Sequence, residues 1–309
     1  MGINAKEGES LRTWAEFSRQ GYLKETLTKE KPIIAIMGCY QIGKSTLLNC
    51  FLNDYAALTG KGMATTSLTA RYRHGMERSV AYRSREGTLV ATDLEQLHNG
   101  EVLCDVAEYC SFHIEVKCSH PLLEECDIVD TPGINANDDD TSKAMQALMD
   151  VHYVLFVIPN RMFTQVEKAM LLSLLRRRIS FSVIMNCVNG RREEQWIPRH
   201  PINQRIREEN EEWLRNHACD CLIPIHGQLV YTINGLFYWS QQRAFADSCA
   251  YIDRPDTVHK HIEGLFKEEG IDCTRLSIIR ESCIEELINH LCELIHRYDP
   301  FTHGWRQSE

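Results

Sequence analysis

The spacing of apolar residues along the chain alternates between the period of a buried strand and that of a helix. Two continuous apolar runs, Ile33–Met37 and His152–Ile158, predict strands that are buried on both faces. Ile278–His296 has apolar residues three and four positions apart, which predicts one amphipathic helix. Because strand-like and helix-like segments follow one another, we predict an α/β fold with three layers and a mostly parallel central sheet.

The other segments extend this pattern. Leu68–Tyr82 alternates and predicts an edge strand, whereas residues 84–110 are polar and helix-like around Leu94–Leu97. Thr164 with Glu167 three residues later predicts a capping box at the start of a helix. Further strands are predicted at Ser111–Cys118, Glu125–Asp130, Ile179–Met185 and, as the last strand, Cys221–Ile225, with a charged helix over Arg191–His217. The aromatic residues Tyr231, Phe237, Tyr238 and Trp239 are interpreted as core residues rather than as a ligand site.

Composition narrows the class of protein. The 309 residues are 43% hydrophobic and 25% charged, which is typical of a packed globular chain. A net charge of −9 argues against a nucleic-acid partner. The 13 cysteines include no CxxC pair, and the N-terminus has no apolar leader, so we expect reduced core cysteines and a cytoplasmic protein. No apolar stretch is long enough to span a bilayer.

The segment Gly38–Ser45, GCYQIGKS, is a complete GxxxxGKS phosphate loop between a predicted strand and a predicted helix. Glycines let successive backbone N–H groups turn inward around a phosphate, and the helix adds the positive end of its dipole. We expect Lys44 to reach the β- and γ-phosphate oxygens and the Ser45 hydroxyl to bind Mg²⁺. The motif therefore predicts a site for a nucleoside triphosphate.

Two later segments are candidates for sensing the γ-phosphate. Thr66, with Thr65 as the fallback, lies in a polar loop where a threonine hydroxyl would bind Mg²⁺ and its carbonyl would hold the attacking water. Asp130 ends a short strand and begins an Asp-x-x-Gly motif, so we expect it to hold Mg²⁺ through a water molecule. The amide of Gly133 would contact the γ-phosphate and move when that group leaves.

Other positions depart from the usual GTPase pattern. Ile134 follows Gly133 where Ras-like enzymes have a water-orienting glutamine, so we expect catalytic help to come from elsewhere, such as another subunit. In the base-reading motif Asn186 is present, but Cys187 replaces lysine and Asn189 replaces aspartate. An amide offers one acceptor oxygen, so Asn189 suits a base with a carbonyl at that edge better than guanine. His226 is expected to occupy the loop that contacts the base through a backbone amide.

In these motifs the chain resembles the dynamin superfamily, in particular the bacterial dynamin-like GTPases. The resemblance covers roughly Leu11 to Arg297 and includes the phosphate loop, Thr65-Thr66, ECDIVDTPGIN, VHYVLFVIPNRMFTQVEKAMLLSLL and the strand ending NCVN. It implies a dynamin-type G domain that hydrolyses GTP to GDP with Mg²⁺, stimulated by head-to-head dimerisation, and membrane remodelling where a helical stalk is present. Tyr40 and Gln41 stand where the family often has Gln-Ser or Phe-Asn, and Gln41 is expected to take over that catalytic contact.

The resemblance also predicts an organisation in three parts. These are an N-terminal neck helix (1–30), a P-loop GTPase domain (31–276) and a C-terminal neck helix with a tail (277–309). The helix predicted at residues 10–28 fits a neck, or a helix packed on the flank of the domain, equally well. Because no stalk follows Glu309, we expect either a head domain or a short family member, with peripheral membrane association only through segments outside this chain.

Two other functions stay open. The altered motifs also suit a non-hydrolysing or weakly hydrolysing nucleotide switch or scaffold with relaxed guanine specificity, and a phosphoryl transferase is a third possibility. The preferred site has Lys44, Gln41, Thr66 and Gly133 in catalysis and Ser45, Thr66 and Asp130 at Mg²⁺. The residues predicted to bind GTP or GDP are Gly38, Tyr40, Gln41, Ile42, Gly43, Lys44, Ser45, Thr46, Thr65, Thr66, Asp130, Gly133, Asn186, Cys187, Asn189 and His226.

Overall fold

The computed structural model describes residues 31–57, 68–108, 112–134, 138–188, 193–217, 229–242, 244–245, 255–299 and 304–305. Several predictions made above lie outside these residues. They are the helix at residues 10–28, the Thr65-Thr66 pair, Asn189, the strand Cys221–Ile225 and His226.

Within this part of the chain, strands and helices alternate as an α/β fold. The strands are β1 (Ile33–Gly38), β2 (Ala70–His74), β3 (Ser79–Arg83), β4 (Leu89–Thr92), β5 (Ile114–Cys118), β6 (Asp127–Asp130), β7 (Tyr153–Pro159), β8 (Ser180–Asn186), β9 (Val230–Ile233), β10 (Tyr298–Asp299) and β11 (Gly304–Trp305). The helices are α1 (Lys44–Leu52), α2 (Leu94–His98), α3 (Pro121–Glu125), α4 (Asp138–Ala147), α5 (Gln165–Arg176), α6 (Pro201–His217), α7 (Gly235–Ser240), α8 (Pro255–Glu268), α9 (Arg275–Ser282) and α10 (Ile284–Arg297).

Nine of these strands form one mixed sheet in the order β4-β3-β5-β2-β6-β1-β7-β8-β9. The half that carries the phosphate loop is parallel: β6, β1, β7, β8 and β9 all run the same way. Strand β2 is antiparallel to β6 but parallel to β5, and β3 is antiparallel to both β4 and β5. Since β1 lies between β6 and β7, the loops after these three strands meet at one edge of the sheet.

The core has two layers, one on each face of the sheet. Along β1, Ile34 and Ile36 face a cluster that includes Leu47 of α1 and Leu291 of α10. The alternate residues Ile33, Ala35 and Met37 belong to a second cluster with α4, α5 and α6. This alternation gives the three layers predicted from the sequence and confirms the fold class.

Two helices occupy the segment that was predicted to be a single C-terminal helix. Thr274 caps α9, and Cys283, with a φ of +56°, separates it from α10. The single-helix prediction was therefore wrong, because apolar periodicity does not detect a left-handed residue between two helices. Buried hydrogen bonds involving His290 also connect α10 to the sheet. Nε2 of His290 lies 3.0 Å from Ser182 Oγ, and Nδ1 of His290 lies 2.9 Å from the Tyr231 hydroxyl.

The non-parallel half of the sheet corrects a second prediction. Leu68–Tyr82 is not one edge strand but contains β2 and the start of β3, which are separated in the sheet by β5. The edge is β4, in a segment that was predicted to be polar and helix-like. The residues of β4 alternate between exposed and half-buried and none is fully buried, so the sequence does not show the alternation of apolar and polar residues that indicates a strand.

Beyond β8 the sheet continues in a strand that was not predicted. This strand, β9, pairs in parallel with β8 and comprises Val230–Ile233, whereas the predicted strand Cys221–Ile225 lies outside the described residues. The expected core positions of Phe237 and Trp239 are confirmed, since both are fully buried. Helix α4 begins with three consecutive aspartates, Asp138–Asp140.

Most of the described cysteines are buried free thiols, as expected for core residues. Cys39 is only half-buried, and Cys104 and Cys273 are exposed. Among the described residues no cluster of side chains could hold a metal ion through histidine, cysteine or carboxylate ligands alone. No helix in the same part of the chain has the length and apolarity needed to cross a bilayer.

Candidate functional site

The phosphate loop joins β1 to α1 through left-handed backbone at Gly43, whose φ is +85°. A Cβ atom there would lie 2.7 Å from Nδ2 of Asn186, so both the backbone conformation and the close packing require glycine. Gly43 is also the N-cap of α1 and supplies no capping side chain. The first N–H groups of this helix are therefore left for another acceptor, which is the arrangement that binds phosphate.

The Lys44 side chain closes over the loop. Its ammonium group donates a hydrogen bond to the Cys39 carbonyl at 2.9 Å, and the residue is only 8% exposed. This contact holds the positive charge above the turn of the loop. Gln41 in the same loop is exposed and has a φ of +58°, whereas Ile42 is buried.

Ser45 and Asp130 come together although they are 85 residues apart. The Ser45 hydroxyl donates to Asp130 Oδ2 at 2.7 Å. The other oxygen, Oδ1, is buried and has no hydrogen-bond partner among the described residues. Burial raises the pKa of Asp130, and Lys44, Ser45 and the Thr131 backbone oppose that rise without cancelling it. Hydroxyl and carboxylate oxygens are ligands that Mg²⁺ takes, and the orphaned Oδ1 fits such an ion directly or through water.

The Asp-x-x-Gly segment runs along the phosphate loop. Thr131 donates to the Ile36 carbonyl through both its amide (3.2 Å) and its hydroxyl (3.0 Å), and the Ile134 amide donates to the Gly38 carbonyl at 3.1 Å. A Cβ atom on Gly133 would lie 2.7 Å from Cα of Tyr40. Only glycine allows this approach, which brings the two predicted phosphate-contacting segments into backbone contact.

Asn186 connects the phosphate loop to the end of β9. Its Nδ2 donates to the Ile42 carbonyl at 2.8 Å, and its Oδ1 accepts from the Gly235 amide at 3.1 Å. The side chain is fully buried. Thr46 lies near Gly235, because a Cβ atom added to Gly235 would be 4.0 Å from Thr46 Cγ2. Asn186 thus fixes the position of the phosphate loop relative to the neighbouring turn.

Two features of the structure bear on the predicted base-contacting region. The turn after β9 is Asn234-Gly235, whereas His226 and its loop lie outside the described residues, so that prediction stays a prediction. Asn234 caps α7 and donates to the Cys187 carbonyl at 3.1 Å. Cys187 itself is fully buried, and burial raises its pKa well above the ordinary value, so its side chain offers no exposed surface to a base.

The sequence did not predict a polar cluster that contacts the phosphate loop at Cys39. Glu167 is 1% exposed, and its carboxylate accepts two bonds from Arg161, at 2.7 and 3.0 Å, and one from the Cys39 thiol at 3.4 Å. Burial opposes ionisation of Glu167, but the bonds from Arg161 and Thr164 outweigh it and lower its pKa. Burial and the Glu167 carboxylate raise the pKa of Cys39 to about 11, which keeps the thiol protonated as the donor.

The capping box of Thr164 and Glu167 was the only sequence signal for this cluster, and it is present as predicted. The contact with Cys39 spans 128 residues and has no sequence signature. Of the predicted site residues, the structure brings together those of the phosphate loop with Asp130, Gly133 and Asn186. Thr65, Thr66, Asn189 and His226 lie outside the described residues.

Comparison with known proteins places this site in a family. The sequence profile of the Dynamin family matches residues 34–187. Dynamin-like protein 2 of Campylobacter jejuni subsp. jejuni serotype O:23/36 (strain 81-176) is 32% identical over 146 residues, which are 46% of this chain and 24% of that protein. The chain therefore spans about a quarter of the length of this relative.

Among solved structures, an oligomerised bacterial dynamin pair aligns over 88% of this chain and 39% of its own, with 17% identity and a TM-score of 0.45. Era in complex with MgGDPNP and a fragment of 16S ribosomal RNA aligns over 86% of this chain and 57% of its own, with 13% identity and a TM-score of 0.41. The profile match contains the phosphate loop, Asp130, Gly133 and Asn186. Residues 34–187 of this chain therefore belong to the dynamin family.

Proposed function

We propose that this chain binds GTP with Mg²⁺ at the phosphate loop and hydrolyses it to GDP and phosphate. The observation that carries the proposal is the contact of Ser45 with Asp130 close to the left-handed Gly43, which leaves one buried carboxylate oxygen with no partner in the part of the chain that the structure describes. Family membership supports GTP as the substrate, since the relative is a dynamin-like protein.

Each residue has a stated role. Lys44 and the loop amides from Gly38 to Thr46 stabilise negative charge on the β- and γ-phosphates. Ser45, Asp130 and Thr66, or Thr65 in its place, would hold Mg²⁺. When bound, this ion neutralises charge that develops on the phosphates. The backbone groups of Thr66 and Gly133 orient the attacking water, and Gln41 supplies a further polar contact.

The water-orienting position contains no polar side chain. Ile134 is 1% exposed and belongs to the core cluster behind β1. We therefore propose that hydrolysis is slow in the monomer and is stimulated when two copies meet through their nucleotide faces. The same proposal includes a cytoplasmic protein that associates with membranes peripherally and remodels them only with segments beyond those described.

A second candidate is a nucleotide switch or scaffold that hydrolyses weakly or not at all. The burial of Ile134 favours it, as does Asn189 at the position that reads the base. Turnover measured at several protein concentrations separates the two functions. A rate per molecule that rises with concentration and is lost in Lys44→Ala supports the GTPase. Absence of turnover at every concentration supports the switch, and full hydrolysis by Lys44→Ala refutes the proposed roles.

A further inference from the structure

A cavity of about 380 Å³ lies at the edge of the sheet opposite the phosphate loop. This volume is within the range of sites that hold small molecules. Three adjacent strands, β2, β6 and β1, contribute residues to it, together with Lys31 before β1 and His152 before β7. We call it the arginine cavity, and it is lined by Lys31, Ile33, Arg71, Arg73, His74, Asp127 and His152.

Positive charge exceeds negative charge among these lining residues. Lys31, Arg71 and Arg73 supply three cations, and Asp127 is the one carboxylate. A single oxygen of Asp127, Oδ2, accepts from Nε of Arg71 at 2.9 Å and lies 3.2 Å from Nε of Arg73. One carboxylate therefore faces two guanidinium groups and neutralises the charge of only one.

The charged residues around the cavity do not cancel the excess positive charge of its lining. Lys31 donates to a neutral group, the Leu123 carbonyl, at 3.1 Å. Glu115 lies 3.5 Å from Arg73 and 3.3 Å from Lys117, and Glu124 lies 3.9 Å from His74, but neither acid lines the cavity. Glu125 also acts on Lys31 from outside the lining. An anion inside the cavity would thus meet three cations before it meets these carboxylates.

Rigid elements position the cations. Arg71 and Arg73 are two residues apart on β2, so their side chains leave the same face of the sheet. Ile33 of β1 pairs with Asp127 of β6 in the sheet register, which places the carboxylate beside the entry of β1. The Asp127 side chain is 6% exposed, whereas those of Arg71 and Arg73 are 23% and 45% exposed. The buried acid therefore anchors two arginines that keep exposed donors.

We propose that the arginine cavity binds a phosphate group, as the dianion of inorganic phosphate or of a phosphate monoester. Guanidinium groups match the geometry of phosphate oxygens with paired N–H donors, and the Lys31 ammonium adds a mobile point charge. The phosphate belongs to a soluble molecule or to a lipid headgroup. This site is separate from the nucleotide site and does not depend on the proposed hydrolysis.

Calorimetric titration with inorganic phosphate tests the site in the Lys44→Ala background, which weakens phosphate binding at the phosphate loop. Binding should be saturable and should weaken at least about tenfold in Lys31→Gln, because one charge-assisted bond is lost. The pair Arg71→Gln with Asp127→Asn removes both charges together and so leaves no buried carboxylate unpaired. Thermal unfolding of each variant verifies folding, and Arg205→Gln, on an 82% exposed side chain, is the matched control.

The outcome then identifies the source of the phosphate. Sedimentation with vesicles of phosphatidic acid and phosphatidylcholine, against phosphatidylcholine alone, should depend on Lys31 and Arg71 if the ligand is a lipid headgroup. Phosphate binding without vesicle binding indicates a soluble ligand. Equal phosphate affinity in Lys31→Gln, the paired variant and Arg205→Gln, or no saturable binding in any of them, overturns the proposal.

Discussion

Asn186→Ala, compared with a matched control, tests whether Asn186 supports nucleotide binding in addition to stability. The change removes the donor to the Ile42 carbonyl and the acceptor of the Gly235 amide, both in the buried interior. Each backbone group left without a partner costs about 1–3 kcal/mol, so the free energy of unfolding should fall by about 2–6 kcal/mol. The phosphate loop also loses its connection to the turn after β9, so nucleotide affinity should fall as well.

Asn203→Ala provides the matched control. Asn203 is also fully buried, and its Nδ2 donates to two backbone carbonyls, of Gln195 at 2.9 Å and Ile197 at 2.8 Å. Both variants should therefore lose similar stability, which thermal unfolding measures as a drop of at least about 4 °C. Only Asn186→Ala should weaken nucleotide binding in a fluorescence titration below its melting temperature. Equal nucleotide affinity in the two variants would refute the role assigned to Asn186.

Three further predictions concern single residues. Gly43→Ala and Gly87→Ala both place a side chain on left-handed backbone (φ +85° and +83°), costing about 1–2 kcal/mol, but only Gly43 has a neighbour within 3 Å. Nucleotide titration should therefore show lost binding in Gly43→Ala alone, and retained binding there contradicts this account. Glu167 has a lowered pKa, so its stabilising contribution is complete above about pH 4.3 and is lost as the pH falls toward its folded value. Urea unfolding at pH 7 and pH 3.5 should show a smaller acid loss for Glu167→Gln, and an unchanged loss would count against it. Asp130 has a raised pKa, so Asp130→Asn should melt at the same or a higher temperature without nucleotide. It should also bind Mg²⁺-nucleotide at least about tenfold more weakly in calorimetry, and unchanged Mg²⁺ dependence would disprove the assignment.

The sequence was most informative where a local pattern determines local geometry. The apolar run of β1, the glycine before Lys44 and the capping box of Glu167 each act over a few residues, and each was predicted at its observed place. Ser45 and Asp130 were both assigned to Mg²⁺ from their motifs, and in the structure they meet because the carboxyl ends of the parallel strands β1 and β6 share one edge. These signals sufficed for the fold class and for the phosphate-binding half of the site.

The rest depended on contacts between distant residues. Nothing near Cys39 in the sequence indicates Glu167, and nothing near β8 indicates that Val230–Ile233 pairs with it. The base-contact loop predicted at His226 lies outside the described residues and stays a prediction. The arginine cavity is likewise formed by residues from three strands and from the segments before β1 and β7, and none of these segments has a distinctive sequence pattern.

The central claim is that the loop from Gly38 to Ser45 holds the phosphates of a nucleoside triphosphate. Calorimetric titration of GTP, ATP and XTP with Mg²⁺ into the wild-type chain and Lys44→Ala tests it most directly. We expect one triphosphate per chain, and binding at least about tenfold weaker without the Lys44 ammonium. The ranking of GTP against XTP reports on Asn189. Equal binding of a triphosphate by both proteins, or no binding of any of the three by the wild type, would contradict the account.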